Sequence, residues 1–242
     1  MIEKIIEAKK LEVGGLKRSS FGPRKRPVRK LALDGPVNII AELKRKSPSA
    51  GFIGEIDEAR IAAYSRYARA ISVLTDSAFF GGSYEFLDHV AGSTDLPVLC
   101  KDFVIDPKQM DRAYAAGADL VLLIARILTG AELELLYSHA RDLGLSCLVE
   151  IHEREELDAI VGLDPDMVGV NARDLDTLEI DLEKAAQTLS LVRAPVRIAE
   201  SGIRSRHDIE RMGRSGANGF LVGEALMRSK EPAATFEELL HG

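Results

Sequence analysis

The sequence has no tryptophan, two cysteines, 5% aromatic residues and no long apolar run, and each shortage excludes something. A helix that crosses a bilayer needs about 20 mostly apolar residues. No stretch of this chain approaches that, so no membrane partner is expected. Cys100 and Cys147 are too few for a disulfide framework and lack the ligand spacing of a zinc site. Both lie inside apolar runs, which makes a reducing, cytoplasmic setting the simplest expectation. Basic charge is also short: 32 Lys and Arg against 38 Asp and Glu leave a net charge of −6. The molecule as a whole is therefore no electrostatic match for nucleic acid. The N-terminal MIEKIIEAKKLEV is charged and helix-like, unlike a signal peptide.

What is present suits a folded domain with a substantial core: 242 residues, 46% hydrophobic and 29% charged. Residues 1–12 place Ile2, Ile5, Ile6 and Lys9 at helical spacing. Residues 14–36 are rich in Gly, Pro and basic residues, including Gly22-Pro23-Arg24-Lys25-Arg26-Pro27, and carry no periodicity. Phe21 is the one aromatic there for stacking on a base, so a solvated arm folding over an anionic site is expected in preference to a nucleic-acid tail. Residues 1–36 thus form a helix and basic arm, and residues 37–242 a catalytic domain.

From residue 38 a rhythm sets in. Strand-like apolar runs fall at 38–43, 70–75, 97–103, 118–125, 146–152, 167–171, 196–201 and 219–223. Between them lie helical patterns at 56–67, 107–116, 129–143, 154–161, 182–191 and 205–215. Asp106-Pro107, Thr129 and Asp181 read as helix caps, and Gly117, Gly144 and Gly216 as helix ends. Runs that are apolar almost throughout mark a parallel sheet covered by helices. Eight strand–helix units in about 200 residues match a single α/β (β/α)8 barrel, with a doubly wound sheet as second choice.

Taken by parity, the strands start apolar and turn ionisable at their ends. One face presents Ile40, Glu42 and Lys44; another Leu99, Lys101 and Phe103; a third Leu148, Glu150 and His152. Gly169, Asn171 and Arg173 follow on the sixth run, and Ile198 and Glu200 on the seventh. In a barrel this gathers Glu42, Lys44, Lys101, Glu150, Asn171, Arg173 and Glu200 at the rim where barrel enzymes keep their catalytic groups. A single Glu–Lys pair could serve stability alone. Seven such residues on five strands argue for a catalytic site, because burying unpaired charge costs several kcal/mol. Ser47-Pro48-Ser49, Glu200-Ser201-Gly202-Ile203 and Phe220-Leu221-Val222-Gly223-Glu224 follow strands in positions suited to a phosphate cradle.

The segments AELKRKSPSAG, ISVLTDSAFFGGS, PVLCKDFVID, CLVEIH, VGVNARDL, IAESGI and GFLVGEALM together resemble the motifs of the indole-3-glycerol-phosphate synthase family, over about residues 38–228. The resemblance implies a lyase that closes a ring with loss of carbon dioxide and water. Its substrate would be 1-(2-carboxyphenylamino)-1-deoxyribulose 5-phosphate and its product indole-3-glycerol phosphate, in tryptophan biosynthesis, with no metal and no organic cofactor. It also implies roles. Lys101 is the general acid, Glu150 the base or dehydration partner, and Lys44 a second acid or an anchor for substrate anions. Glu42 and Asn171 hold the sugar hydroxyls and position the lysines, Arg173 suits the anthranilate carboxylate, and Glu200 completes the network. Ser47, Ser201, Gly202, Gly223 and the backbone of Glu224 would hold the phosphate, with the Glu224 side chain turned away. Pro48, Phe80, Phe103, Leu122 and Leu175 would form the ring pocket, and His152 is structural.

Two stretches depart from the family pattern. Tyr64-Ser65-Arg66-Tyr67-Ala68-Arg69-Ala70 lacks the glycine usual ahead of the second strand, and the N-terminal arm is short and weakly matched. A monomer acting on a small sugar phosphate is expected. The rival readings are another sugar-phosphate barrel enzyme, either phosphoribosylanthranilate isomerase-like or a Schiff-base aldolase using Lys101, and a phosphometabolite-binding module without turnover.

Overall fold

A computed structural model describes residues 1–18 and 21–242. The eight apolar runs become strands β1 (Ile39–Leu43), β2 (Ala70–Leu74), β3 (Val98–Lys101), β4 (Leu120–Ile124), β5 (Ser146–Ile151), β6 (Met167–Asn171), β7 (Val196–Glu200) and β8 (Gly219–Val222). Neighbours pair in parallel, and β1 bonds to both β2 and β8, which closes the barrel. Alternation then sorts the side chains. Ile40, Leu99, Leu120, Leu122, Leu148, Ile198 and Leu221 fill the interior, while Ile39, Ala41, Val98, Val121, Val149, Val170 and Ala199 pack outward under the helices. Each fully buried aliphatic side chain contributes roughly 1.5–3 kcal/mol by leaving water.

The caps act as expected. Asp106 and Thr129 form reciprocal capping boxes with Gln109 and Glu132, and Asp181 accepts from Glu183 and Lys184 N–H. Helices Pro107–Ala115, Gly130–Asp142 and Arg206–Arg214 end at Gly117, Gly144 and Gly216, all with positive φ. The helix Glu58–Tyr67 passes into β2 through Ala68 in an extended conformation, so no glycine is needed there. The pattern at 154–161 divides into a 3-10 turn, Arg154–Glu156, and a short helix, Leu157–Ile160. Helices Tyr84–Ser93 and Pro232–His241 complete the outer layer, and a small antiparallel hairpin pairs Lys46–Ser47 with Gly51–Phe52 after β1. These elements go beyond the sequence expectation.

The N-terminal segment also differs from expectation. Its helix runs from Ile2 to Gly15 and buries Ile5, Lys9 and Val13. The basic arm after it is only partly solvated, with Lys25 and Lys30 exposed and Arg24 and Arg26 half-buried, and it does not fold over the ionisable rim. Arg24 reaches Asp119 at 2.6 Å and Tyr114 O at 3.0 Å, and Arg26 also pairs with Asp119. Asp119 precedes β4, so it lies at the end of the barrel opposite the ionisable rim. Leu31 and Leu33 pack on the interior cluster that includes Met167 and Ile198. Two arginines on one buried carboxylate explain the composition better than a surface role: the basic residues fasten the arm.

Candidate active site

Barrel closure brings the charged strand ends to one mouth. Lys101 ends β3, and its Nζ donates to Glu150 Oε2 of β5 at 3.1 Å and Glu200 Oε2 of β7 at 3.0 Å. Both carboxylates are 1% exposed, whereas the Lys101 side chain keeps 13% exposure. The register explains the meeting. Gly169 of β6 lies beside Glu150, and a Cβ built on it would stand 2.0 Å from Glu200 Oε1. The missing side chain is therefore the room in which the two glutamates converge. A similar device serves β1, where Glu42 Oε1 pairs with Lys44 Nζ at 2.6 Å and a Cβ on Gly223 would lie 2.3 Å from that oxygen.

The electrostatics are those of one ammonium between two acids. Burial works against the charge on Lys101, but Glu150, Glu200 and Glu42 outweigh it and raise its pKa. For Glu200 burial comes first, and with the charge of Glu150 it overcomes the pull of Lys101, so this carboxyl is raised above the usual range. Glu150 is also buried, yet Lys101 and His152 hold its carboxyl below that range. The two carboxylates titrate as a unit. At neutral pH the arrangement favours an ammonium, an ionised Glu150 and a partly protonated Glu200, which places an acid and a base in one site.

A cavity of about 120 Å3 opens over this cluster. Glu42, Lys44, Lys101, Glu150, Asn171, Arg173 and Glu200 line it, with Ser201, Gly202, Gly223 and Glu224 on one side and Phe80, Phe103, Leu122 and Leu175 forming the apolar wall. Phe80 and Phe103 lie with centroids 6.1 Å apart, leaving a tilted aromatic slot. Ser201 and Gly202 have φ of 65° and 76°. Positive φ at a serine is uncommon and costs energy, a sign of a loop shaped for use. Glu224 is neutralised by Arg228 at 3.0 Å and faces Arg173 at 4.0 Å. Arg173 donates to Leu178 O at 3.0 Å and Ser49 Oγ at 3.1 Å, bridging to the loop after β1.

Ser47 and Pro48 stand apart from the cavity lining. Ser47 lies in the hairpin, where its Oγ accepts from Ala50 N–H at 3.2 Å. Conversely, Arg204, Ile180 and Asp102 line the cavity without having been singled out in the sequence. Arg204, two residues beyond Gly202, was the legible one: a cation next to a candidate phosphate loop.

The largest omission is Lys9. The N-terminal helix lies against the mouth, with Ile5 in the same apolar cluster as Phe103, Leu122 and Ile124. Lys9, 1% exposed, pairs with Asp102 at 2.8 Å, Asp76 at 2.9 Å and Glu12 at 2.8 Å. Burial is again outweighed, chiefly by Asp102, and the Lys9 pKa is raised. The amino terminus adds a second fastening to Asp176, 3.0 Å away, beyond β6. The signal was a lysine in the apolar stripe of Ile2, Ile5 and Ile6.

An acid–base cluster at the C-terminal mouth of a (β/α)8 barrel, beside a cation-rich loop region, is the plan of a barrel enzyme that moves protons on an anionic substrate. The chain belongs to the indole-3-glycerol phosphate synthase family, whose model matches residues 4–239. Relatives of that name from Bacillus cereus and Bacillus mycoides are 42% and 43% identical over 247 and 248 residues, covering 98% of this chain and 97% of each relative. Among solved structures, a 3-hexulose-6-phosphate synthase superimposes with a TM-score of 0.67 at 16% identity, covering 84% of this chain and 98% of that one, a likeness of fold. The described residues contain no helix long and apolar enough to cross a membrane.

Proposed function

We infer that the protein converts 1-(2-carboxyphenylamino)-1-deoxyribulose 5-phosphate to indole-3-glycerol phosphate, carbon dioxide and water, as its family does in tryptophan biosynthesis. The observation that carries the mechanism is the bonding of Lys101. An ammonium has three donors, and two of them go to Glu150 and Glu200. The third is available to a substrate oxygen on the cavity side. When the ring carbon bearing the carboxylate attacks the ketone, charge develops on that oxygen, and Lys101 protonates it. Loss of carbon dioxide restores the ring. The hydroxyl then leaves as water, with Glu150 as the base that takes the methylene proton, and Lys44 serving as second acid or anion anchor.

Arg173 suits the anthranilate carboxylate, since a guanidinium meets a carboxylate with two parallel bonds. Glu42 and Asn171 orient the lysines and sugar hydroxyls, while Phe80, Phe103, Leu122 and Leu175 hold the ring. The phosphate belongs with Ser201, Gly202, Gly223, the backbone of Glu224 and Arg204. Ser47 and Pro48 can join only if the loop after β1 swings inward over bound substrate. The N-terminal helix acts as a lid. A Schiff-base aldolase is disfavoured, because such a lysine needs a lowered pKa and Lys101 is held charged. The protein works as a cytoplasmic monomer on a small molecule.

The test is to add the carboxyphenylamino-deoxyribulose phosphate and follow indole fluorescence, which the chain's lack of tryptophan leaves unobscured. Appearance of the signal without a borohydride-trapped adduct supports this reading; an adduct, or binding without turnover, rejects it.

A further inference from the structure

His152 is the one member of the charged strand ends left without a task above. It follows β5 directly, two positions from Glu150 and on the same face. It is 4% exposed, and neither ring nitrogen makes a directed hydrogen bond. Yet Nε2 lies 3.3 Å from Glu150 Oε1, and Nδ1 lies 3.6 Å from Glu156 Oε2, which accepts the His152 backbone N–H at 2.9 Å. A buried imidazole left so poorly bonded between two carboxylates costs stability without return unless it acts. Its surroundings hold a second opening. A cavity of about 230 Å3 is lined by His152 and Asn171 at its inner end and reaches exposed Thr177 and Glu179. Asn171 also lines the active-site cavity, so His152 and Asn171 form the partition between the two.

The reaction inferred above makes such a route useful. Two protons go onto the departing ketone oxygen and one returns from the methylene carbon. The carboxylate leaves as neutral carbon dioxide, with its bonding electrons restored to the ring. Each turnover therefore draws one proton from solvent, and a route apart from the substrate-filled mouth would supply it. We propose that His152 relays this proton from water in the second cavity to Glu150. The proton arrives at Nδ1 and that on Nε2 passes to Glu150 Oε1. From Glu150 Oε2 a proton then reaches Lys101, 3.1 Å away. An imidazole does this because its two nitrogens exchange roles at little cost near neutral pH. The charged groups around the relay are Glu150, with Lys101 behind it, and Glu156; Glu153, Asp174, Glu179, Asp181 and Lys184 along the second cavity; and Arg126, whose Nε is 4.0 Å from Glu156.

The relay rests on the family reaction, so wild-type turnover is measured first; its absence rejects that reading and the relay with it. Given turnover, His152→Asn is expected to lower kcat about tenfold or more with KM within about twofold, a loss smaller than that of a direct acid. The solvent deuterium effect on kcat should rise, the alkaline fall of kcat should move to lower pH, and added imidazole should restore turnover in a saturable manner. Glu156→Gln, beside Nδ1, should show the same pattern more weakly, and it supplies the test if His152→Asn does not fold. Unchanged kcat in either folded variant overturns the relay. So does a loss that tracks thermal stability and that imidazole leaves unaltered.

Discussion

On consecutive residues of one chain segment, Lys101 turns to the active-site cavity and Asp102 reaches Lys9 of the N-terminal helix. Two buried lysines therefore sit in the same part of the molecule, each among carboxylates. Lys9 spends all three donors, on Glu12, Asp76 and Asp102, and is 1% exposed. Lys101 spends two and keeps 13% exposure. A saturated, sealed ammonium is a fastener. One that retains a donor toward a cavity is placed to act as an acid. Burial and pKa direction alone do not separate them, since both lysines are raised; the count of bonds and the access do.

That contrast breaks if either lysine behaves as the other. Lys101→Ala should lower turnover by about 10²–10⁴, the span of a lost general acid. The assay is indole fluorescence, and activity within tenfold of wild type would remove Lys101 from the chemistry. Lys9→Met strands Asp76 and Asp102 without their cation, which should cost about 3–5 kcal/mol in urea unfolding. Its kcat at 25 °C should stay within a few-fold, with KM raised as the helix loosens. A collapsed kcat at unchanged stability would make Lys9 catalytic.

The next two predictions sharpen the comparison at Lys101. Gly169→Ala puts a methyl where Glu200 Oε1 lies 2.0 Å off, so the carboxylate must move. Overpacking of this kind costs about 1–3 kcal/mol, and displacing a partner of the acid by about 1 Å can cost up to 10²-fold in kcat/KM. Wild-type kinetics with a retained fold would mean that Glu200 does not hold Lys101 in place. The smallest effect is on pH. Glu200 is raised in the folded protein, so its contribution is fully present in acid and is lost as pH climbs from the ordinary carboxyl range through the native value. Glu200→Gln removes that slope. The melting temperature of the variant relative to wild type should therefore rise between pH 5 and pH 9; a flat or falling difference would show that Glu200 is ionised throughout.

Much of this was legible beforehand. The strand runs, the caps at Asp106, Thr129 and Asp181, and the inward side of β1, β3, β5, β6 and β7 follow from short-range geometry, and all appear in the fold. Parity placed Lys101, Glu150 and Glu200 on inward faces because a strand alternates whatever it pairs with. The helix Tyr84–Ser93 was not among the expected elements, although the Ser83 cap and the spacing of Tyr84, Leu87, Val90 and Ala91 carry its signal. The arm was not. Whether Arg24 and Arg26 meet solvent, phosphate or Asp119 is decided by a carboxylate 93 or more positions away, and no local period records it.

By itself, then, the order of residues determined periodicity: eight strands, most of the helices between them, and a polar end on five of the strands. Only tertiary structure decided company. Closing the barrel set which carboxylates share an ammonium, which glycine makes room for them, and which lysine keeps a donor. Hydrogen bonding and Coulombic attraction depend on separations of a few ångströms, and those separations exist only once distant segments have been brought together.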